Sequence, residues 1–108
     1  MDEREFMAAA DAELARIEAA LEVASMTGIA DFDFETKPGG IIEIECENGT
    51  KIIVNRHGAA REIWLAAKSG GFHFRPEGGK WIGTRDGEEL LAALARALSE
   101  QSGVRIAL

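Results

Sequence analysis

The chain has 108 residues, 46% of them apolar and 29% charged, with 19 Asp/Glu against 12 Lys/Arg for a formal net charge of −7. That length suits one domain over residues 1–108 with its own core, and no apolar run approaches the roughly 20 residues of a bilayer span. The acidic opening MDEREFMAAAD lacks the basic and apolar regions of a secretory leader, and a single cysteine excludes an internal disulfide and fits a reducing cytoplasm.

The charge is unevenly spread. Residues 1–47 hold 13 Asp/Glu against Arg4, Arg16 and Lys37, a balance of −10, whereas residues 48–108 hold 6 acids and 9 bases, a balance of +3. An acidic flank of this density repels nucleic acid and anionic membrane, and attracts cations or basic protein surfaces. A solvated face that only keeps the protein soluble has the same composition.

In chain order, Phe6, Ala10, Leu14, Ile17 and Leu21 recur at spacings of three and four, predicting a helix over residues 3–24 that Gly28 stops. Residues 29–35 alternate Asp31, Asp33, Glu35 against Ala30, Phe32, Phe34, a strand pattern. KPGG at 37–40 is a turn. Residues 41–47 alternate again, placing Cys46 with Ile42 and Ile44 as a small core residue. Asn48-Gly49 is a strong hairpin signal, and strands over 51–56, 62–67, 72–75 and 81–83 follow, separated by Gly-bearing turns. A second helix is expected to open at Asp86 with Glu89 completing a capping box, and to end at Gly103. The alternating tail 104–108 should pack rather than dangle. Helix, six strands and helix make an α+β two-layer sandwich, two helices on one face of an antiparallel sheet of about six strands.

One sheet face then carries Phe32, Phe34, Ile42, Ile44, Ile52, Val54, Ile63 and Leu65 beneath the helices. The other presents Glu43, Glu45, Lys51, Asn55, His57, Glu62 and Trp64. An aromatic in that polar field has the composition of a protein-binding hot spot; a tryptophan lying flat over a neighbouring strand is the plainer reading.

Asp11, Glu18 and Glu22 fall within about 40° of one another on the helical wheel, roughly a quarter turn from the core stripe. If the first strand runs beside this helix, Asp31, Asp33 and Glu35 extend the ridge. Oxygen-only ligands suit hard cations, and the residues admit magnesium, calcium, manganese or ferrous iron in an open, weak site. No calcium loop, nucleophile–His–acid set or phosphate-cradling glycine loop is present, and His57 and His73 have no evident partner. The glycines at 70–71 and 78–79 read as turns.

ENGTKIIVNRH, then EIWLAAKSGGFHF, Trp81, Arg85-Asp86-Gly87 and the Leu-rich closing helix are collinear with the bacterial frataxins from Glu5-Phe6 onward. The chain resembles that family, the CyaY type. The resemblance implies a two-helix sandwich and a non-enzymatic iron-binding protein of iron–sulfur cluster assembly, acting as regulator or iron donor. It implies weakly bound iron (Fe2+ or Fe3+) on an acidic ridge that maps to Asp11, Glu18, Glu22, Asp31 and Asp33. It further implies docking on the cysteine desulfurase and the cluster scaffold, with Asn55 and Trp64 on the partner surface and Glu43, Glu45 and His57 beside them. The family's usual N-R-Q and Q-[IV]-W read here Asn55-Arg56-His57 and Glu62-Ile63-Trp64. Ala19 and Val23 stand where some relatives carry further acids, so the ridge is thinner. A monomer is expected, with iron-induced oligomers as the alternative.

The runner-up function is an iron-storing or ferrous-iron-oxidising oligomer. Such di-iron enzymes pair Glu with Glu-x-x-His on facing helices, and this sequence supplies no such pair.

Overall fold

The computed structural model describes residues 1–108. Helix α1 spans Glu3–Met26 and starts at a capping box: Glu5 N donates to Asp2 Oδ1 at 2.8 Å, and Asp2 N donates to Glu5 Oε1. The pattern-based reading missed this cap. It also ended the helix two residues early; the last turn runs on to Thr27, whose hydroxyl donates to Ala24 O.

Six strands follow: β1 Phe32–Lys37, β2 Ile41–Cys46, β3 Lys51–His57, β4 Glu62–Ala67, β5 Gly70–Glu77 and β6 Lys80–Gly83. They form one antiparallel sheet in sequence order. The first strand starts three residues later than the alternation suggested, because Ile29, 59% exposed, lies in the connection out of α1. Asn48-Gly49 makes the β2–β3 turn as expected, with Gly49 at φ 86° and Asn48 Oδ1 accepting from Thr50 N. Asn48 Nδ2 also donates to Gln101 O, tying this hairpin to the closing helix.

That helix, α2, spans Leu90–Ser102, and here the sequence reading is corrected. Glu89 is the N-cap and makes no side-chain capping bond. Asp86 Oδ1 accepts instead from Glu88 N at 3.0 Å, Gly87 has φ 75°, and Gly83 N donates to Glu88 O. The left-handed glycine and the Asp86 turn use these residues to extend the sheet, so helix geometry starts only at Leu90. Gly103 closes α2 in the left-handed conformation, as anticipated.

The core lies between the helices and one sheet face. Phe6, Ile17 and Leu21 of α1 and Leu90, Leu94 and Leu98 of α2 meet Ile42, Ile44, Ile52, Val54, Ile63 and Leu65, all nearly inaccessible to solvent. Trp81 packs edge-on against Phe6 with ring centroids 6.0 Å apart. Cys46 is buried and free. Ile106 of the tail is buried too, and Ser99 Oγ accepts from its N–H. No helix is long and apolar enough to cross a membrane.

Candidate metal ridge and partner-binding sheet face

The ridge acids do not share one environment. Asp11 is ion-paired with Arg56, whose side chain leaves the helix-facing side of β3 to reach it. The route passes over Gly40: a Cβ there would meet Arg56 Cγ and Cδ at 2.7 Å. Gly40 also sits at φ 76°, a conformation that disfavours any side chain. Glu18, Glu22, Asp31 and Asp33 are exposed, and none takes part in an ion pair.

The sheet register adds what the sequence could not place. Asp33 lies opposite Glu45, and Glu35 opposite Glu43. Like charges facing across a ladder oppose folding. At the Glu35–Glu43 pair lysines relieve this: Lys37 Nζ is 2.8 Å and Lys51 Nζ 3.1 Å from Glu43. Hydrogen bonds from Lys37 and then Lys51 hold the Glu43 carboxyl below the ordinary range. At Asp33–Glu45 no ion pair is made, although Lys51 stands opposite Glu45 across the β2–β3 ladder with its ammonium turned to Glu43. Asp31, Asp33, Glu45 and Glu47 border one open depression of about 490 Å³. The structure therefore joins Glu45, read from the sequence as a partner-face residue, to the ridge, while Glu43 is occupied by lysines.

No three His, Cys, Asp or Glu side chains lie close enough to enclose one ion. The donor set consists of exposed carboxylates, which fits a hard cation that keeps much of its water.

On the outer sheet face, Trp64 does not stand alone in water. It is half-buried between two imidazoles: His57 stacks on one face at 3.8 Å between centroids, planes 10° apart, and His73 on the other at 4.5 Å and 7°. Asn55 is its cross-strand neighbour. Glu62, expected to be exposed, is buried under this layer. One carboxylate oxygen accepts from Trp64 Nε1 at 2.9 Å and lies 3.3 Å from His73 Nδ1; the other accepts from Arg75 Nε at 2.9 Å. Burial alone would push the Glu62 carboxyl up, but the bonds from Trp64 and Arg75, with the nearby His73 and Arg75 charges, outweigh it and hold the group low. The sequence reading placed Gly70-Gly71 in the turn, whereas they open β5. A two-residue loop at Lys68-Ser69 sets Ala67 opposite Gly70 and therefore Trp64 opposite His73.

Glu13 is a second unforeseen buried acid, in contact with Arg16 Nη1 at 2.7 Å. Burial raises its carboxyl, opposed in part by Arg16.

The frataxin-like domain family model matches residues 1–104. The chain belongs to the bacterial frataxin (CyaY-type) family. It is 53% identical over its full length to the iron-sulfur cluster assembly protein CyaY of Dechloromonas aromatica, covering 99% of that protein. The CyaY of Cupriavidus necator is 48% identical, with 100% of this chain and 96% of that one aligned. Among solved structures, the frataxin of Psychromonas ingrahamii superposes with a TM-score of 0.80 at 32% identity, covering 99% of this chain and 97% of that one. Trimeric yeast frataxin complexed with ferrous iron gives 0.73 at 25% identity, covering 88% and 86%. The two-helix, six-strand frataxin architecture expected from the resemblance is the observed one.

Proposed function

We propose that this frataxin serves iron–sulfur cluster assembly as a non-enzymatic binding module in the cytoplasm. It holds iron weakly on the acidic ridge and docks on the cysteine desulfurase and the cluster scaffold as regulator or iron donor. The observation that carries the reading is the run of acids outside any ion pair: Glu18, Glu22, Asp31 and Asp33, with Glu45 opposite Asp33 across the β1–β2 ladder. A negative field of this kind concentrates cations and steers a basic protein surface toward the same place. Asp11 contributes less than the sequence suggested, since Arg56 already neutralises it. The names of the curated relatives and the ferrous complex of the yeast frataxin support this reading. The stacked Trp64, with Asn55 and His57 beside it, forms a second contact for a partner.

The trimeric yeast frataxin favours one alternative, an oligomer assembled around iron. Sizing the protein with and without excess ferrous iron under air, alongside desulfurase capture at rising salt, separates the two. The binding module stays monomeric and loses its partner as salt rises, because exposed charges are screened within about 8 Å at physiological ionic strength. Iron-dependent growth in size with no desulfurase capture favours the store.

A further inference from the structure

The end of α1 carries apolar side chains that the core does not use. Val23 is 65% exposed, Met26 78%, Ile29 59% and Val104, just past α2, 40%. These are four of the five large apolar residues left exposed in the chain. Val23 and Met26 stand three apart on one face of α1, Met26 three residues before Ile29, and Ile29 and Val104 border one open groove of about 460 Å³. That groove is also bordered by Asp31 and Glu47, two carboxylates without ion-pair partners. Met26 follows Glu18 and Glu22 at spacings of four, so the acidic stripe runs straight into the apolar end.

Apolar side chains exposed together and rimmed by polar groups mark an interaction site. The rim decides the occupant. A second copy of this chain would bring the same acids against Asp31 and Glu47 at a net charge of −7, and anionic membrane is repelled in the same way. We infer that Met26, Ile29 and Val104 form the apolar half of the docking surface whose acidic half is the ridge. The occupant is a partner-protein segment that presents an apolar anchor flanked by Lys or Arg. This rests on the docking reading above and adds to it: charge steers the encounter, and an apolar anchor seated beside Ile29 and Val104 slows release.

The test uses the full chain and purified cysteine desulfurase in a binding titration at several salt concentrations. A Met26→Gln/Ile29→Gln/Val104→Gln variant removes the apolar contacts without changing charge. It is expected to unfold at the parent's temperature, to bind ferrous iron as the parent does, and to bind the desulfurase at least about tenfold more weakly with the parent's salt dependence. Glu18→Gln/Glu22→Gln/Asp31→Asn/Asp33→Asn is the comparison, expected to flatten that salt dependence. If the apolar variant binds like the parent while the ridge variant is impaired, the inference fails and electrostatic docking stands. If neither variant is impaired, docking through the ridge fails together with the inference that rests on it. A parent that sediments as a dimer and an apolar variant that sediments as a monomer would assign the surface to a second copy and overturn the inference.

Discussion

Trp64 and His73 lie face to face across the β4–β5 ladder, ring centroids 4.5 Å apart and planes 7° from parallel. The same indole donates to the buried carboxylate of Glu62. Trp64 is thus tied into the outer sheet face on both sides of its ring. A freely exposed tryptophan would be removed at little cost. Here Trp64→Ala loses aromatic stacking, worth about 0.5–1.5 kcal/mol per pair, and a hydrogen bond to a charged group, worth about 1.5–3 kcal/mol. Chemical denaturation should give a loss of at least about 2 kcal/mol, with Trp64→Phe keeping the stacking and losing only the donor. Leu65→Ala, on the core side, should cost roughly 2–5 kcal/mol. A Trp64→Ala protein as stable as the parent would mean the stack is not formed in solution.

The two buried acids should give stability opposite dependences on pH. The folded state holds Glu62 low, so its stabilisation is complete above the unfolded carboxyl value near about 4.3 and is lost as pH falls through the lower folded value. Glu13 is raised by burial, so its charged form opposes folding at neutral pH and that penalty disappears as pH falls through its folded value. Glu62→Gln should therefore be most destabilised relative to the parent at neutral pH, the gap narrowing below pH ~4. Glu13→Gln should match or exceed the parent at neutral pH and lose that advantage on acidification. Urea unfolding from acid to neutral pH measures both, and parallel profiles for the two variants would contradict the assignment.

The Arg56–Asp11 pair spans β3 and α1 and masks one ridge carboxylate. Arg56→Gln removes a cation from the ridge, so ferrous iron should bind more tightly. The stability loss should be small, of order 1 kcal/mol or less, as for exposed pairs. Gly40→Ala must strain a positive φ and displace the Arg56 side chain, and should cost more than about 1 kcal/mol. Metal titration and thermal unfolding check the two; weaker iron binding by Arg56→Gln would place Asp11 outside the ridge field.

Where the pattern was periodic, the fold was legible: α1 from Phe6 to Leu21, the Asn48-Gly49 hairpin, the alternation of Ile42, Ile44 and Cys46, and the Gly103 cap. Failures came where local chemistry has two outlets. Asp86 offers its oxygen equally to a helix cap or to an Asx turn, and Gly87 at positive φ decided for the turn. Glu62 read as a surface acid because composition records charge and not the donors that surround it. Arg75 and Trp64 meet Glu62 only through the β4–β5 register. The ridge acids were visible as residues, but the Asp33–Glu45 opposition and the Arg56 crossing to Asp11 depend on distant pairings that spacing along the chain does not encode.

The most direct test of the account is an anaerobic ferrous-iron titration of Glu18→Gln/Glu22→Gln/Asp31→Asn/Asp33→Asn beside the parent. Removing four carboxylates that make no ion pair should weaken iron binding by at least about tenfold, or 1.4 kcal/mol. The fold should remain, with stability equal or slightly higher because repulsion is relieved. A titration that superposes on the parent's, in a variant that remains folded, would contradict the ridge as the iron-binding surface.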